Sequence, residues 1–266
     1  MERIGLIAGG GKLPVIFAEE ARKKGAKIIG FAIKEMALPE FDKACDRAHR
    51  LGIKQIKKFL FLLVAERIRK IVMLGKVDKS VIYNNKHGAD EHLRRFEKEK
   101  DKSDYSILDK VTAEFEKMGI KVIEAGAYLD NLFPPKGILT KRHPSEKEAN
   151  DVSFGFPIAR EIARFDIGQT VIVKDKSVVS VEAMEGTDET IKRAAKLSGS
   201  GFTVIKVSRP EQDMRWDVPV VGPETIKLIA ENKGKVLAIE AKRMFLVERE
   251  ACLEIAEKNG ISIVVK

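Results

Sequence analysis

One N-terminal run limits this chain more than any other stretch: RIGLIA from Arg3 to Ala8, then Gly9, Gly10 and Gly11, then Lys12-Leu13-Pro14. Apolar residues in succession make a buried strand, glycines make a tight turn, and the amphipathic run to Lys24 makes a helix. The pattern repeats. Ala26 to Ala32 reads as a second strand, Ile56 to Arg69 as a helix, Lys70 to Leu74 as a strand, Ser103 to Met118 as a helix and Lys121 to Glu124 as a strand. Such alternation predicts a parallel sheet covered by helices, with ligands at the carboxyl ends of the strands, where Gly75 and Lys76 also fall. Glycine N–H groups at a helix N-terminus can approach a phosphate closely. Pro14 stands where the dinucleotide fingerprint has glycine, and the Walker pattern is absent, so a phosphate contact and a tight structural turn both stay open.

Length and composition narrow the class. At 266 residues and 44% apolar content the chain has room for two ordinary domains. The longest apolar run, Phe59 to Ala65, is flanked by Lys and Arg and is too short to span a bilayer. The opening MERIGLIAGGG has no secretory pattern, and Cys45 and Cys252 share no motif, so a reducing cytoplasm and buried thiols are expected. The net charge of +9 allows an anionic partner, but Lys and Glu are interspersed, as on a heat-adapted surface, and no basic block is interleaved with aromatics. His87 and His92 are five residues apart, where a helical zinc pair needs four, so they read as solvated or locally bonded. The run from Arg94 to Lys102 reads as a solvated helix face.

Three prolines and many charges between Asn131 and Asn150 mark a boundary, giving domains of 1–132 and 151–266 with a linker over 133–150. A helix is expected from about Pro157 to Arg164. Thr170 to Val173 and Val178 to Ala183, joined by Lys-Asp-Lys-Ser, read as a hairpin. Thr187 or Asp188 offers a cap for a helix from Glu189 to Leu197. Helices over Pro223 to Asn232 and Arg249 to Lys258, and strands over Phe202 to Val207, Val236 to Ala241 and Ile261 to Val265, complete an α/β pattern with a mixed sheet. Ser208 to Thr225 is set apart by four ionisable or amide side chains, Gln212, Asp213, Arg215 and Asp217, with Trp216 among them and prolines on both sides.

LIAGGGKLP, AREIARFDIGQTVIV, VEAMEGTDETI and KVSRPEQDMRWDVPVVGPETI together resemble the UDP-2,3-diacylglucosamine pyrophosphatases of lipid A biosynthesis, the branch unrelated to calcineurin-like metallophosphoesterases. The rival branch's metal-ligand signatures are missing. The resemblance implies an N-terminal Rossmann-like domain and a C-terminal domain, with the lipid held between them. It implies hydrolysis of UDP-2,3-diacylglucosamine to UMP and 2,3-diacylglucosamine 1-phosphate (lipid X) with Mg²⁺, by a cytoplasmic enzyme at the inner-membrane surface. Asp217 falls on the family's essential acid, with Gln212 and Arg215 beside it as catalytic candidates. Glu185, Gly186, Thr187 and Asp188 match Glu-Gly-Thr-Asp, and Asp166 with Gln169 matches Asp-Ile-Gly-Gln. Lys76 and Asp104 match as well.

On this basis Asp217, Glu185 and Asp188 are candidate Mg²⁺ ligands. Gly9, Gly10, Gly11, Lys76, Asp166, Gln169 and Thr187 are candidate substrate contacts. Mg²⁺ is held by one or two carboxylates while substrate oxygens and water complete its octahedron. Arg215 can fork two bonds onto a phosphate; its plain alternative is an ion pair to Asp213 or Asp217. Met184, Trp216, Leu132 and Phe133 are candidate walls for acyl chains. The partners expected are a lipid-linked nucleotide sugar and the membrane surface, with no nucleic acid and a homodimer left open. Two competing readings remain: a Rossmann-type nucleotide-sugar or dinucleotide enzyme, and a basic nucleic-acid or membrane-surface binder.

Overall fold

A computed structural model describes residues 2–52, 54–77, 104–215 and 217–266. His87, His92, the run from Arg94 to Lys102 and Trp216 lie outside the described residues. The chain forms two compact units, one of Met1–Asp130 with Met214–Asp217, the other of Asn131–Asp213 with Val218–Lys266.

The first unit is built on a five-stranded sheet: β1 (Arg3–Ala8), β2 (Lys27–Ile33), β3 (Arg47–Leu51), β4 (Lys70–Leu74) and β5 (Lys121–Val122). The order is β3-β2-β1-β4-β5 and every pairing is parallel. This is the Rossmann order, whose switch point lies between β1 and β4. Helices α1 (Leu13–Lys23), α2 (Phe41–Ala44), α3 (Ile56–Ala65) and α4 (Asp104–Lys117) lie between the strands in sequence. Strand β2 is buried over five consecutive residues, as a strand covered on both faces must be.

Two elements depart from expectation. Strand β3, RAHRL, is polar because it is an edge strand with one covered side, and the sequence reading passes over it. Helix α3 stops at Ala65 instead of Arg69, since Arg67 takes a left-handed φ of 54° and turns the chain into β4.

The second unit carries a six-stranded mixed sheet of order β6-β13-β11-β9-β7-β8. Its strands are β6 (Gly137–Ile138), β7 (Thr170–Lys174), β8 (Ser177–Val181), β9 (Thr203–Lys206), β11 (Val236–Ile239) and β13 (Ser262–Val265). Strands β9, β11 and β13 are parallel; β7 runs against β9, β8 against β7 and β6 against β13. A short parallel pair, β10 (Val220–Val221) with β12 (Phe245–Leu246), stands apart from it.

Period-two alternation divides the sheet between two helical layers. Val171, Val173, Ile205, Val207, Val236 and Ala238 pack on Val152, Phe156, Ala159 and Ala163 of α5 (Glu146–Arg164). The intervening Ile172, Val204, Leu237, Ile239 and Ile263 pack on α6 (Gly186–Ser198), α7 (Pro223–Glu231) and α8 (Arg249–Lys258). Each such fully buried side chain contributes roughly 1.5–3 kcal/mol. The two expected domains thus have the two sheet types anticipated, parallel and mixed.

Helix α5 begins eleven residues earlier than expected. Ser145 and Glu148 form a reciprocal capping box, Glu148 N donating to Ser145 Oγ at 3.3 Å and Ser145 N to Glu148 Oε2 at 2.7 Å. Arg142 grips the same carboxylate through two bonds of 2.7 and 2.8 Å. Pro157 is therefore interior to the helix, which continues because its apolar face is buried on both sides of the proline. The hairpin of β7 and β8 forms as expected, turning at Asp175 and Lys176 with φ of 56° and 54°. Buried Asp151 on α5 accepts both turn N–H groups, at 3.0 and 2.7 Å.

Candidate functional site

In the first unit the glycine turn follows β1 at the switch point, and the structure shows what the first two glycines do. Gly9 N donates to Leu74 O at 2.8 Å, Gly10 N to Lys76 O at 2.8 Å, and Lys76 N returns a bond to Gly10 O at 2.9 Å. These N–H groups are committed to joining the ends of β1 and β4. A Cβ on Gly9 would stand 2.5 Å from Lys76 O, so glycine is required by the close approach. Gly11 differs: its φ is +93° and a Cβ would meet nothing within 4 Å. The Lys76 residue is exposed. Helix α4 begins at Asp104.

Arg215 and Asp217 belong to this unit. Arg215 Nη1 lies 3.4 Å from Glu116 Oε1 on α4, a long ion pair between partly exposed groups and so a weak one. Asp217 is partly buried.

In the second unit the antiparallel pairing of β7 with β9 puts Thr170 opposite Lys206, and that of β8 with β7 puts Val181 opposite Val171. Thr170, Glu182 and Lys206 therefore share one edge of the sheet, the carboxyl edge of its parallel strands. Around them runs a continuous polar network. Gln169 N donates to Glu182 Oε2 at 3.2 Å, and Thr187 Oγ1 donates to Glu182 Oε1 at 2.9 Å. Lys206 Nζ donates to Thr187 Oγ1 at 3.0 Å, with Thr170 Oγ1 3.4 Å away.

Gln212, 7% exposed, accepts from Arg209 N at 3.0 Å and from Gln169 Nε2 at 3.4 Å through one amide oxygen. Arg209 Nε pairs with Asp166 Oδ1 at 2.6 Å, and Asp166 holds a left-handed φ of 55° just past the end of α5. A cavity of about 230 Å³ opens here, lined by Ile167, Gly168, Gln169, Glu182, Lys206 and Arg209 among others. It is smaller than the roughly 300–1,000 Å³ of common small-molecule pockets, and two cations in its wall suit it to a phosphate-sized anion. A larger hollow of about 400 Å³ beside Phe156, Pro157 and Arg160 contains none of the expected site residues.

The loop that carries Gln212 is anchored by Arg243 and Glu240. Arg243 donates to Ser208 Oγ at 3.0 Å and to the carbonyls of Arg209 and Pro210 at 2.8 and 2.9 Å. Glu240 accepts from Ser208 N and Oγ at 3.0 and 2.8 Å and from Arg160 at 2.9 Å. Burial pushes the Glu240 carboxyl up, but the Ser208 bonds and the Arg160 guanidinium outweigh it and leave the group below the usual range.

Asp166, Gln169, Thr187 and Gln212 are thus brought into one network. Glu185 and Asp188 are exposed beside it. Glu185 is the residue before α6, and Thr187 and Asp188 lie in the first turn instead of serving as its cap, because the helix starts at Gly186. Glu185 pairs with Arg193 and accepts from Ala183 N at 3.1 Å. Its own N–H and the Arg193 charge hold its carboxyl low against a smaller opposing effect of burial.

Among the described residues no group of three or more His, Cys, Asp or Glu side chains is arranged to hold a metal ion. An all-protein cage is thus not formed among the described residues; Mg²⁺ commonly needs only one or two carboxylates, with phosphate oxygens and water completing its shell. Cys45 and Cys252 are buried thiols, and burial pushes both up to about 12, far from a nucleophilic thiolate. Met184 is fully exposed, while Phe133 packs on Phe245 with ring centres 4.7 Å apart. The sequence reading missed Glu182, Lys206, Arg209, Glu240 and Arg243. Lys206, last in a strand and so at a carboxyl end, was within reach of the rule that points to strand ends.

The LpxI N-terminal domain model matches residues 3–132 and the LpxI C-terminal domain model residues 135–264. The chain belongs to the LpxI family. A curated LpxI relative from Caulobacter vibrioides, named UDP-2,3-diacylglucosamine pyrophosphatase LpxI, is 31% identical over 274 residues, spanning 99% of this chain and 97% of its own. The resemblance drawn from the sequence motifs is borne out by these LpxI matches.

Among solved structures, an N5-carboxyaminoimidazole ribonucleotide synthetase from Thermotoga maritima is 18% identical, covering 70% of this chain and 42% of its own with a TM-score of 0.25. The biotin carboxylase domain of 2-oxoglutarate carboxylase from Hydrogenobacter thermophilus is 12% identical, covering 73% and 41% with a TM-score of 0.28. The chain spans less than half the length of either, and scores of this size add nothing to the LpxI assignment.

Proposed function

We propose that this chain hydrolyses the pyrophosphate bond of UDP-2,3-diacylglucosamine, releasing UMP and 2,3-diacylglucosamine 1-phosphate, with Mg²⁺ and as a peripheral protein at the inner-membrane surface. The observation that carries the reading is 31% identity over 99% of the chain to a relative of that name. The polar network at the carboxyl edge of the mixed sheet supports it, because that edge offers the chemistry such a bond requires. Among the described residues no helix is long and apolar enough to cross a membrane, which accords with peripheral attachment.

Water attacks one phosphorus, the P–O anhydride bond breaks, and the departing phosphate leaves with the electron pair. Charge builds on phosphate oxygens, so the chain needs cations and fixed donors around them. Lys206 and Arg209 supply two in the second unit, where Thr187 and Asp166 hold them in place. Arg215, in the first unit, is a further cationic candidate, able to fork two bonds onto a phosphate. Gly11 and the N-terminus of α1 offer a further anion contact. Bound Mg²⁺ would lower the charge on the phosphates. Asp217 would be the first candidate to hold it or to orient the attacking water, with Glu185 or Asp188 as the next candidate. Gln212 and Gln169 set the loop and the cavity wall through neutral bonds. The decisive experiment is incubation with UDP-2,3-diacylglucosamine and Mg²⁺ followed by mass analysis. UMP together with the acylated sugar phosphate is expected, and intact substrate or any other pair of products overturns the reading.

A further inference from the structure

Helix α3 has two faces that no feature of the reaction uses. Its inner face is ordinary core: Leu63 is fully buried, and Phe59 meets Phe31 and Phe115 with ring centres 5.2 and 6.1 Å apart. Its outer face is unusual. Phe61 and Val64 are each 69% exposed, two large apolar side chains a turn apart on one helix face, where adjacent exposed apolar groups mark interaction surfaces. Lys57 and Lys58 stand one turn before them and are exposed; Arg67 and Arg69 follow and are exposed as well.

Between Lys54 and Arg69 the one acid is Glu66, and the fold turns it inward. It is 7% exposed and is paired with Arg47 at 2.8 Å and His49 at 3.1 Å. The outward side of this stretch therefore presents cations and two large apolar side chains, and its own one acid is turned away from them. We infer that this face of α3 is a docking surface for an anionic lipid bilayer, with Phe61 and Val64 entering the headgroup layer and Lys57, Lys58 and Arg67 meeting lipid phosphates.

Charge complementarity selects this occupant. A second copy of the chain would bring the same cations against themselves, and a nucleic acid would match the charge while leaving Phe61 and Val64 without an apolar partner. A bilayer surface satisfies both at once, since amphipathic basic helices bind it by apolar insertion and by attraction to acidic headgroups. The purpose of the surface rests on the proposed function, which needs a lipid-borne substrate; the surface itself can be measured without substrate.

The test is co-sedimentation of the full chain with vesicles of phosphatidylglycerol and phosphatidylethanolamine, set against vesicles of phosphatidylcholine alone. Binding to the anionic vesicles is expected, falling with added salt. Phe61→Asp and, separately, Lys57→Glu with Lys58→Glu should each weaken it by at least about tenfold, at roughly fivefold for each lysine near the surface. Equal binding to both vesicle types, or variants that bind as the parent does, overturns the inference. So does a Phe61→Asp protein whose oligomeric state in solution changes while its vesicle binding does not. Cleavage of detergent-dispersed substrate separates the two readings. A protein that cleaves it but ignores vesicles loses this surface and keeps the proposed function. One that binds vesicles as described but leaves the substrate intact keeps the surface and loses the function.

Discussion

The carboxyl edges of the two sheets are closed in opposite ways. In the parallel sheet, backbone closes the edge: three N–H to carbonyl bonds join the turn after β1 to the turn after β4, and glycines allow the approach. In the mixed sheet, side chains close it: Glu182, Thr187, Lys206, Gln169, Gln212 and Arg209 form a chain of bonds around a small cavity. A backbone closure is rigid and tolerates almost no added atom, and it spends the N–H groups of Gly9, Gly10 and Lys76 on itself. A side-chain closure leaves titratable and cationic groups where a ligand enters. The glycine-rich start, which resembles a nucleotide grip in the sequence, is therefore in good part a strut, and the chemically richer edge is the one without a familiar fingerprint.

The largest effect is expected at Asp217, in the first unit. Asp217→Ala should lower kcat by at least about a hundredfold with KM and melting temperature nearly unchanged, as for a group acting in the transition state. Steady-state kinetics with unaltered turnover would remove Asp217 from the mechanism. Lys206→Met should cost about tenfold in kcat/KM through loss of a charge-assisted bond to a phosphate, while thermal melting stays within a few degrees. A variant that melts early but turns over normally would make Lys206 a structural prop of Thr187.

Gly9→Ala probes the strut. A Cβ 2.5 Å from Lys76 O forces the two turns apart and should cost roughly 1–3 kcal/mol in denaturant unfolding. No loss would show that the closure can yield. Glu240→Gln gives the smallest change and depends on pH. The Glu240 carboxyl is depressed in the folded state, so its contribution is present above the ordinary value of 4.5 and is lost as pH falls through the lower folded value. Unfolding curves taken at neutral pH and at successively lower pH should show a shallower acid loss for Glu240→Gln than for the parent.

The sequence was most legible where burial is local. RIGLIA, KIVML and the two runs of the β7–β8 hairpin declare themselves by composition, and the family motifs name Asp166, Gln169, Thr187 and Gln212 before any contact is seen. RAHRL was silent because an edge strand need not be apolar. Helix α5 was misplaced for a different reason: Ser145-x-x-Glu148 is a readable start signal, but Pro157 is an equally readable one and lies nearer the apolar run. Glu240 and Arg243 had no local signature at all. Their role comes from reaching residues 32 to 35 positions away, which only the folded sheet brings near.

Asp151 has a consequence for the time course of folding. Its carboxylate ties the head of α5 to the hairpin tip across a separation of 25 residues, whereas the Thr140 contact that seats the β6 edge closes 123. Chain closure scales with the logarithm of length, so the second contact costs about 1.4 kcal/mol more in loop entropy than the first. The helix and its hairpin are thus favoured to assemble while the β6 edge is still loose. Asp151→Asn should slow refolding in stopped-flow measurements, while Thr140→Ala should chiefly hasten unfolding. The reverse pattern would place the nucleus elsewhere.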